Sequence, residues 1–186
     1  MTLEKSRTRL NQVFALAPVV PVITIEHARD AVPLARALVA GGLPVVEITL
    51  RTAAAVDAAR AIIAEVEDAV VGIGTVLSPH DLEMVAKLGA AFAISPGQSV
   101  ELLQAASSGD LPFVPGIQTA SDLIACVTRG FDLAKFFPAV PAGGLAALGG
   151  HRDRDTLERI HGRRGRIRPA RGRGGAGSPR RDVVVR

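Results

Sequence analysis

The chain has 186 residues, enough for one domain with a substantial core. With 48% hydrophobic residues and a mean hydropathy of +0.29, its composition argues against disorder. Six Phe and no Trp or Tyr leave Ala, Val, Leu and Ile to build that core. The formal charge of +4 divides unevenly: twelve Arg against four acids give residues 151–186 a charge of +8, while ten basic and fourteen acidic residues give residues 1–150 a charge of −4. The basic excess is thus a property of the tail and gives the globular part no nucleic-acid-binding character.

The single cysteine, Cys126, excludes an internal disulfide and fits a reducing cytoplasm. Ala15-Leu16-Ala17 matches a cleavage pattern, but only Val13 and Phe14 stand between Gln12 and Ala15. That is far short of the apolar stretch of about 7–15 residues a signal peptide needs. The apolar run over residues 13–25 is too short to cross a membrane and is broken by Pro18 and Pro21. The expectation is a cytoplasmic protein with no membrane partner.

In chain order, residues 3–16 read as a short amphipathic helix. From Val19 onward, short apolar and β-branched runs recur, beginning at Val19, Val45, Ala69, Phe92, Pro112 and Leu133. Such runs are typical of parallel strands buried on both faces. Their start-to-start spacings of 26, 24, 23, 20 and 21 residues leave room for a helix and two loops each time. Ala31, Leu34, Ala35 and Leu38 form one helical apolar face, ended by Gly41-Gly42. Val56, Ala59, Ile62, Ile63 and Val66 form another, with Asp57 and Arg60 turned outward. Ser78-Pro79-His80-Asp81 supplies an N-cap and a proline at the first helical position. Thr119-Ala120-Ser121-Asp122 reads as a capping box with Asp in place of Glu.

Six β/α units in alternation fit either an open doubly wound sheet or a (β/α)8 barrel. Gly72-Ile73-Gly74 lacks the third glycine of a dinucleotide fingerprint, since position 77 is Leu, and there is no GxxxxGK[ST] loop. The pattern favours the barrel, apparently truncated after six units.

In such a barrel the chemistry lies at the C-terminal ends of the strands. Lys135 is the only charge in Leu133-Ala134-Lys135-Phe136-Phe137-Pro138-Ala139. Burying an ammonium is costly, which favours the neutral amine that a Schiff-base nucleophile needs. The same pattern also fits a structural lysine paired with a carboxylate or snorkelling from a strand end. Glu47, a lone acid in Val45-Val46-Glu47-Ile48-Thr49-Leu50, is either its counter-ion or a general base. Period-two alternation puts Glu47, Thr49 and Arg51 on one face. Arg51 suits a carboxylate ligand or a surface position at a helix start. His27, His80, His151 and His161 have no metal-ligand spacing and are expected at the surface or at caps, so no metal is expected.

The motifs Pro18-Val19-Val20-Pro21-Val22-Ile23, Glu47-Ile48-Thr49-Leu50-Arg51-Thr52, Gly72-Ile73-Gly74-Thr75-Val76-Leu77, Phe92-Ala93-Ile94-Ser95-Pro96-Gly97, Val114-Pro115-Gly116-Ile117 and Lys135-Phe136-Phe137-Pro138-Ala139 together resemble, in order and spacing, the family of 2-keto-3-deoxy-6-phosphogluconate (KDPG) aldolases. The family also takes in 4-hydroxy-2-oxoglutarate aldolases, and the resemblance covers roughly residues 10–149. It implies a class I aldolase on a (β/α)8 TIM barrel, homotrimeric and without cofactor, which cleaves its substrate to pyruvate and glyceraldehyde 3-phosphate. Lys135 matches the imine-forming lysine and Glu47 the acid/base. Arg51, Thr75 and Pro96 match positions lining the pyruvate end, and Phe137 an apolar wall beside the imine. An aldolase for the galactonate analogue or for 4-hydroxy-2-oxoglutarate is the alternative within the class.

The resemblance stops at Gly149-Gly150, so residues 1–149 are read as an incomplete barrel domain and 150–186 as a non-matching Arg/Gly-rich tail. The Thr-Gly-Gly and Gly-Gly-Ser turns that hold the substrate phosphate in the family are not found there. Three readings of the tail compete: an RNA-binding segment, a solvated extension, and a shifted reading frame in a GC-rich gene. The abruptness of the break favours the last, and the absence of aromatics in the tail weakens the first. An inactive barrel fragment with a nucleic-acid-binding tail is the non-enzymatic alternative. Six strands leave two sheet edges open, and the tail, whose one β-like run is Val183–Val185, is not expected to cover them. On that ground the 186-residue chain is expected to be poorly folded and weakly active.

Overall fold

Each of the six apolar runs forms parallel strand structure, followed in five cases by an α-helix that packs on the outside. The computed structural model describes residues 3–144 and the backbone of 183–185. Helix α1 (Leu3–Ala15) comes first, then β1 (Val22–Ile23), a 3-10 turn at Ala28–Asp30, α2 (Ala31–Ala40), β2 (Val45–Thr49), α3 (Ala55–Glu65), β3 (Val70–Gly74) and α4 (Pro79–Leu88). They are followed by β4 (Phe92–Ile94), α5 (Val100–Ser108), β5 (Phe113–Val114), β6 (Gly116–Ile117), α6 (Ala120–Thr128), β7 (Ala134–Phe136) and β8 (Val183–Val185). The strands form two parallel sheets, β1-β2-β3-β4-β5 and β6-β7-β8.

Proline explains the two departures from the expected strands. The run beginning at Val19 yields only the two residues of β1, because Pro21 has no N–H to give a ladder; its carbonyl still accepts from Glu47 N–H at 2.8 Å. The run beginning at Pro112 is split into β5 and β6 by Pro115 for the same reason. A third departure is at the edge. The backbone of β8 pairs with β7, Lys135 opposite Val184, so the tail's valines lie along an edge that the sequence reading left open.

The helices follow their punctuation. Ser78 and Asp81 close a capping box at the start of α4, with Pro79 in its first turn, and Gly89 ends that helix in the left-handed conformation. Thr119 and Asp122 close a second box at α6. Burial pushes the Asp122 carboxyl up, but the N–H groups of Thr119 and Gln118 outweigh it and hold the group below its ordinary value. In α2 the buried face is Ala31, Val32 and Ala35, whereas Leu34 is 39% exposed, so the true face is rotated from the expected one. Asp57 and Arg60 of α3 do point outward.

Side chains alternate between two cores, as the strand period requires. Val46, Ile48, Val71, Ile73 and Ala93 face the helices, meeting Ala59 and Ile62 of α3, Val85 of α4 and Leu103 of α5. Val45, Phe92, Ile94, Val114 and Leu133 face the interior, where Leu10 and Val13 of α1 join them from below. Phe14 of α1 meets Phe92 edge to face, with centroids 5.4 Å apart. Glu47 on β2 and Lys135 on β7 meet across this interior although several strands separate them in sheet order. The array is therefore curled as in a (β/α)8 barrel, with five β/α units and a further strand, β7, among the described residues before β8, and is not an open doubly wound sheet.

Cys126 lies in the outer core with no exposed surface. Burial, with the Asp122 carboxylate adding to it, pushes its thiol up to about 12. The native chain should accordingly resist a thiol reagent such as dithionitrobenzoate at pH 8 and react fully in denaturant. Because the unfolded thiol ionises first, stability should also fall as pH rises above about 8.5, the ordinary thiol value. Rapid labelling of the native chain would refute this burial.

Candidate active site

Glu47 and Lys135 form the centre of the barrel interior. Glu47 is the middle residue of β2, flanked by Val46 and Ile48, which face the helices, so its carboxylate is turned inward. Lys135 is likewise the middle residue of β7, between Ala134 and Phe136. Glu47 is 2% exposed and Lys135 5%. The Lys135 Nζ donates to Glu47 Oε1 at 2.9 Å, a charge-assisted contact in a nearly dry setting. Phe137, half-buried, has its ring centroid 5.3 Å from Nζ, within range of a cation–π contact.

Gly74 makes room for the Glu47 carboxylate of this pair, and Gly72 for the neighbouring Phe92 ring. A Cβ at Gly74 would overlap Glu47 Oε1 and crowd its Cδ, and a Cβ at Gly72 would overlap the ring of Phe92. Read along the chain, Gly72-Ile73-Gly74 looks like a failed nucleotide loop. In the fold its period of two puts both glycines on the inner face of β3, beside an inward Glu47 and an inward Phe92. Gly74→Ala should therefore dislodge the carboxylate and lower stability by about 1–3 kcal/mol, the usual cost of overpacking a filled interior. A urea melt measures this; an unchanged midpoint would mean the carboxylate has space to move.

The other sequence-predicted residues surround the strand ends. Thr75 follows Gly74 directly and has φ +62, the one described non-glycine residue in the left-handed region. A β-branched residue there is strained by about 1–3 kcal/mol, a cost that tends to persist at functional positions. The ladder skips it: Leu50 N–H donates to Gly74 O, and Val76 N–H donates to Ile94 O. Arg51 is exposed just beyond β2, four residues past Glu47 on the same strand exit, and Pro96 is half-buried just past β4. Thr49, expected on the Glu47 face, is fully buried; its hydroxyl donates to Ile23 O at 3.0 Å and lies 3.0 Å from the Thr24 hydroxyl. That ties β2 to β1. His27 and His80 are exposed at helix starts, while His151 and His161 lie outside the described residues.

Chemically, the arrangement offers an amine aimed into an enclosed interior with a carboxylate in hydrogen-bond reach of the same nitrogen. That suits attack on a carbonyl carbon, with the acid taking and returning the protons that carbinolamine formation and dehydration displace. Comparison with known proteins points the same way. The family described as KDPG and KHG aldolase matches residues 10–151. The KHG/KDPG aldolase of Escherichia coli K12 is 51% identical over 142 residues, which cover 76% of this chain and 67% of that protein. Among solved structures, the KDPG aldolase of Legionella pneumophila, with pyruvate captured as a covalent carbinolamine intermediate, superposes with a TM-score of 0.71 at 46% identity over 74% of this chain and 68% of that one. The 2-keto-3-deoxy-6-phosphogluconate aldolase of Zymomonas mobilis ZM4, solved with 3-phosphoglycerate, gives 0.72 at 45% identity over 75% of this chain and 66% of that one. The match thus spans about two thirds of these proteins' length.

Proposed function

Because this chain belongs to the KDPG and KHG aldolase family, we propose that it is a class I carbon–carbon lyase acting on 2-keto-3-deoxy-6-phosphogluconate, with Lys135 as the imine-forming lysine and Glu47 as the acid/base. The observation that carries the reading is the buried Lys135 Nζ–Glu47 Oε1 contact of 2.9 Å at the centre of the barrel. The amine adds to the keto carbon C2, and loss of water from the carbinolamine gives the protonated imine. Glu47 accepts the C4 hydroxyl proton as the C3–C4 bond breaks, and the electron pair moves into the imine to form an enamine. Glyceraldehyde 3-phosphate leaves; protonation at C3 and hydrolysis then release pyruvate and restore the amine.

In this reading Arg51 holds the substrate carboxylate by its planar fork, Thr75 and Pro96 line the same end, and Phe137 walls the imine. The strained Thr75 backbone supports its place there. Residues 1–149 form the aldolase unit, incomplete as a barrel, and 150–186 a tail that does not match the family and whose Val183–Val185 backbone pairs with β7. The unit works in the cytoplasm, consistent with a lone buried thiol, and a completed barrel assembles as a homotrimer. No helix among the described residues is long and apolar enough to cross a membrane.

The test is pyruvate release, followed by coupled reduction to lactate, from KDPG, its galactonate epimer and 4-hydroxy-2-oxoglutarate in parallel. Release that is fastest from KDPG supports the assignment. Preference for either other substrate moves it within the family, and release from none of them by chain shown to be folded refutes it.

A further inference from the structure

The acid and the lysine lie on different sheets, Glu47 in the one containing β1–β5 and Lys135 in the one containing β6–β8. Whatever joins the sheets therefore sets their separation. The chain passes between them at Pro115, which has no N–H to continue the ladder. The last regular rung is Ser95 N–H to Val114 O at 3.2 Å. A continued parallel ladder would send Gly116 N–H to the Ser95 carbonyl. It goes instead to the Ser95 side chain, donating to Oγ at 3.1 Å in a fully buried contact. Ser95 has 0% exposure, and a Cβ on Gly116 would overlap the Pro96 carbonyl and Gly97 N, so β6 runs tightly beneath this turn. On its far side the same segment carries the lysine. Lys135 N–H donates to Pro115 O at 2.9 Å, Gly116 is opposite Lys135 in register, and Phe137 N–H donates to Ile117 O at 3.0 Å.

We propose that Ser95 is a positioning residue for Lys135: its buried hydroxyl, accepting from Gly116 N–H, seats residues 115–117 and so fixes the lysine opposite Glu47. This deepens the aldolase reading and rests on Lys135 forming the imine. Ser95 acts only through the strand it holds. A hydrogen bond of 2.9 Å is lost within a few tenths of an ångström beyond 3.2 Å, so a small slip of β6 separates amine from acid.

The experiment uses the full chain with Ser95→Ala, Ser95→Thr, and Val85→Ala as a control that thins the outer core beneath α4. The first readout is the rate of borohydride-trapped imine formation with pyruvate, per folded molecule, across pH. Ser95→Ala should trap about 10–100-fold more slowly with a displaced pH profile, Ser95→Thr should recover most of the loss, and Val85→Ala should keep the rate despite a lower melting point. A Ser95→Ala chain with the parent rate and profile, changed only in melting point, overturns the proposal. The second readout needs no pyruvate: the chain has three lysines, so the 13C titration of Lys135 Cε is readily assigned. It should be displaced in Ser95→Ala and unchanged in Val85→Ala; an unchanged curve in Ser95→Ala again overturns the proposal. Parent chain that traps no pyruvate counts against the imine assignment, while the titration still decides Ser95. Should Ser95→Ala fail to fold, Ser95→Cys, with its weaker acceptor, is judged by the same titration: displacement supports the proposal and no change overturns it.

Discussion

Lys135→Ala should abolish the reduced pyruvate adduct altogether and lower KDPG cleavage by about 10⁴-fold or more, as loss of a covalent nucleophile does elsewhere. The amine sits alone at the centre of the interior, and Lys5 and Lys87, the chain's other lysines, are on exposed helix faces. Neither of these is placed to substitute. The substitution also strands the Glu47 carboxylate, and breaking a buried pair from one side costs about 3–5 kcal/mol. Activity must therefore be normalised to folded protein, and Lys135→Met, which fills the space without a charge, serves as the second variant. Mass spectrometry after borohydride and pyruvate reads the result directly. An adduct that persists in both variants would place the imine on another residue.

Glu47→Gln should leave the imine accessible and slow the proton transfers by about 10²–10⁴-fold, the usual range for a lost general base. The amide oxygen can still accept from Lys135 Nζ in the space beside Gly74, so the shape of the site survives. What is lost is the ability to take a proton. Exchange of the pyruvate methyl protons into deuterated water isolates this step, because it needs the imine and a base but no phosphate contact. A Glu47→Gln chain that exchanges at the parent rate would reduce the glutamate to a counter-ion.

The sequence made the centre of this site readable because burial and charge conflict there. A single acid in VVEITL and a single base in LAKFFPA stand out against apolar surroundings, and the strand period already turned Glu47 inward. Their contact, 88 positions apart, was not readable, since each equally fitted a structural counter-ion and only the curl of the sheet brings them together. Gly74 and Gly116 were visible as glycines but not as clearances, because what a Cβ would strike comes from distant strands. The strain at Thr75 left no trace in composition. The prolines, by contrast, were in plain view: Pro21 and Pro115 shortened or split strands that hydrophobicity alone made continuous. Helix punctuation transferred best, as the boxes at Ser78 and Thr119 depend only on neighbours. The rotated face of α2 shows the limit, because an isolated helix does not reveal which of two adjacent apolar stripes the sheet will cover.

Helix α1 precedes every strand that receives it and is therefore one of the last elements that can find its place during synthesis. Leu10 and Val13 pack against Phe92, Val114 and Leu133, Phe14 against Phe92, and Arg7 reaches Asp132 at 3.2 Å. More than a hundred residues of chain must therefore emerge before the helix has its full seat, and closing so long a loop carries an entropic cost that local helix formation does not offset. During synthesis the apolar face of α1 stays unsatisfied while the outer β/α layer, built from neighbours in sequence, is already assembling. The nascent chain thus carries an unsatisfied apolar helix face while the strands that receive it are still being made, and the docking that shuts the barrel floor also ends its exposure to chaperones and to aggregation.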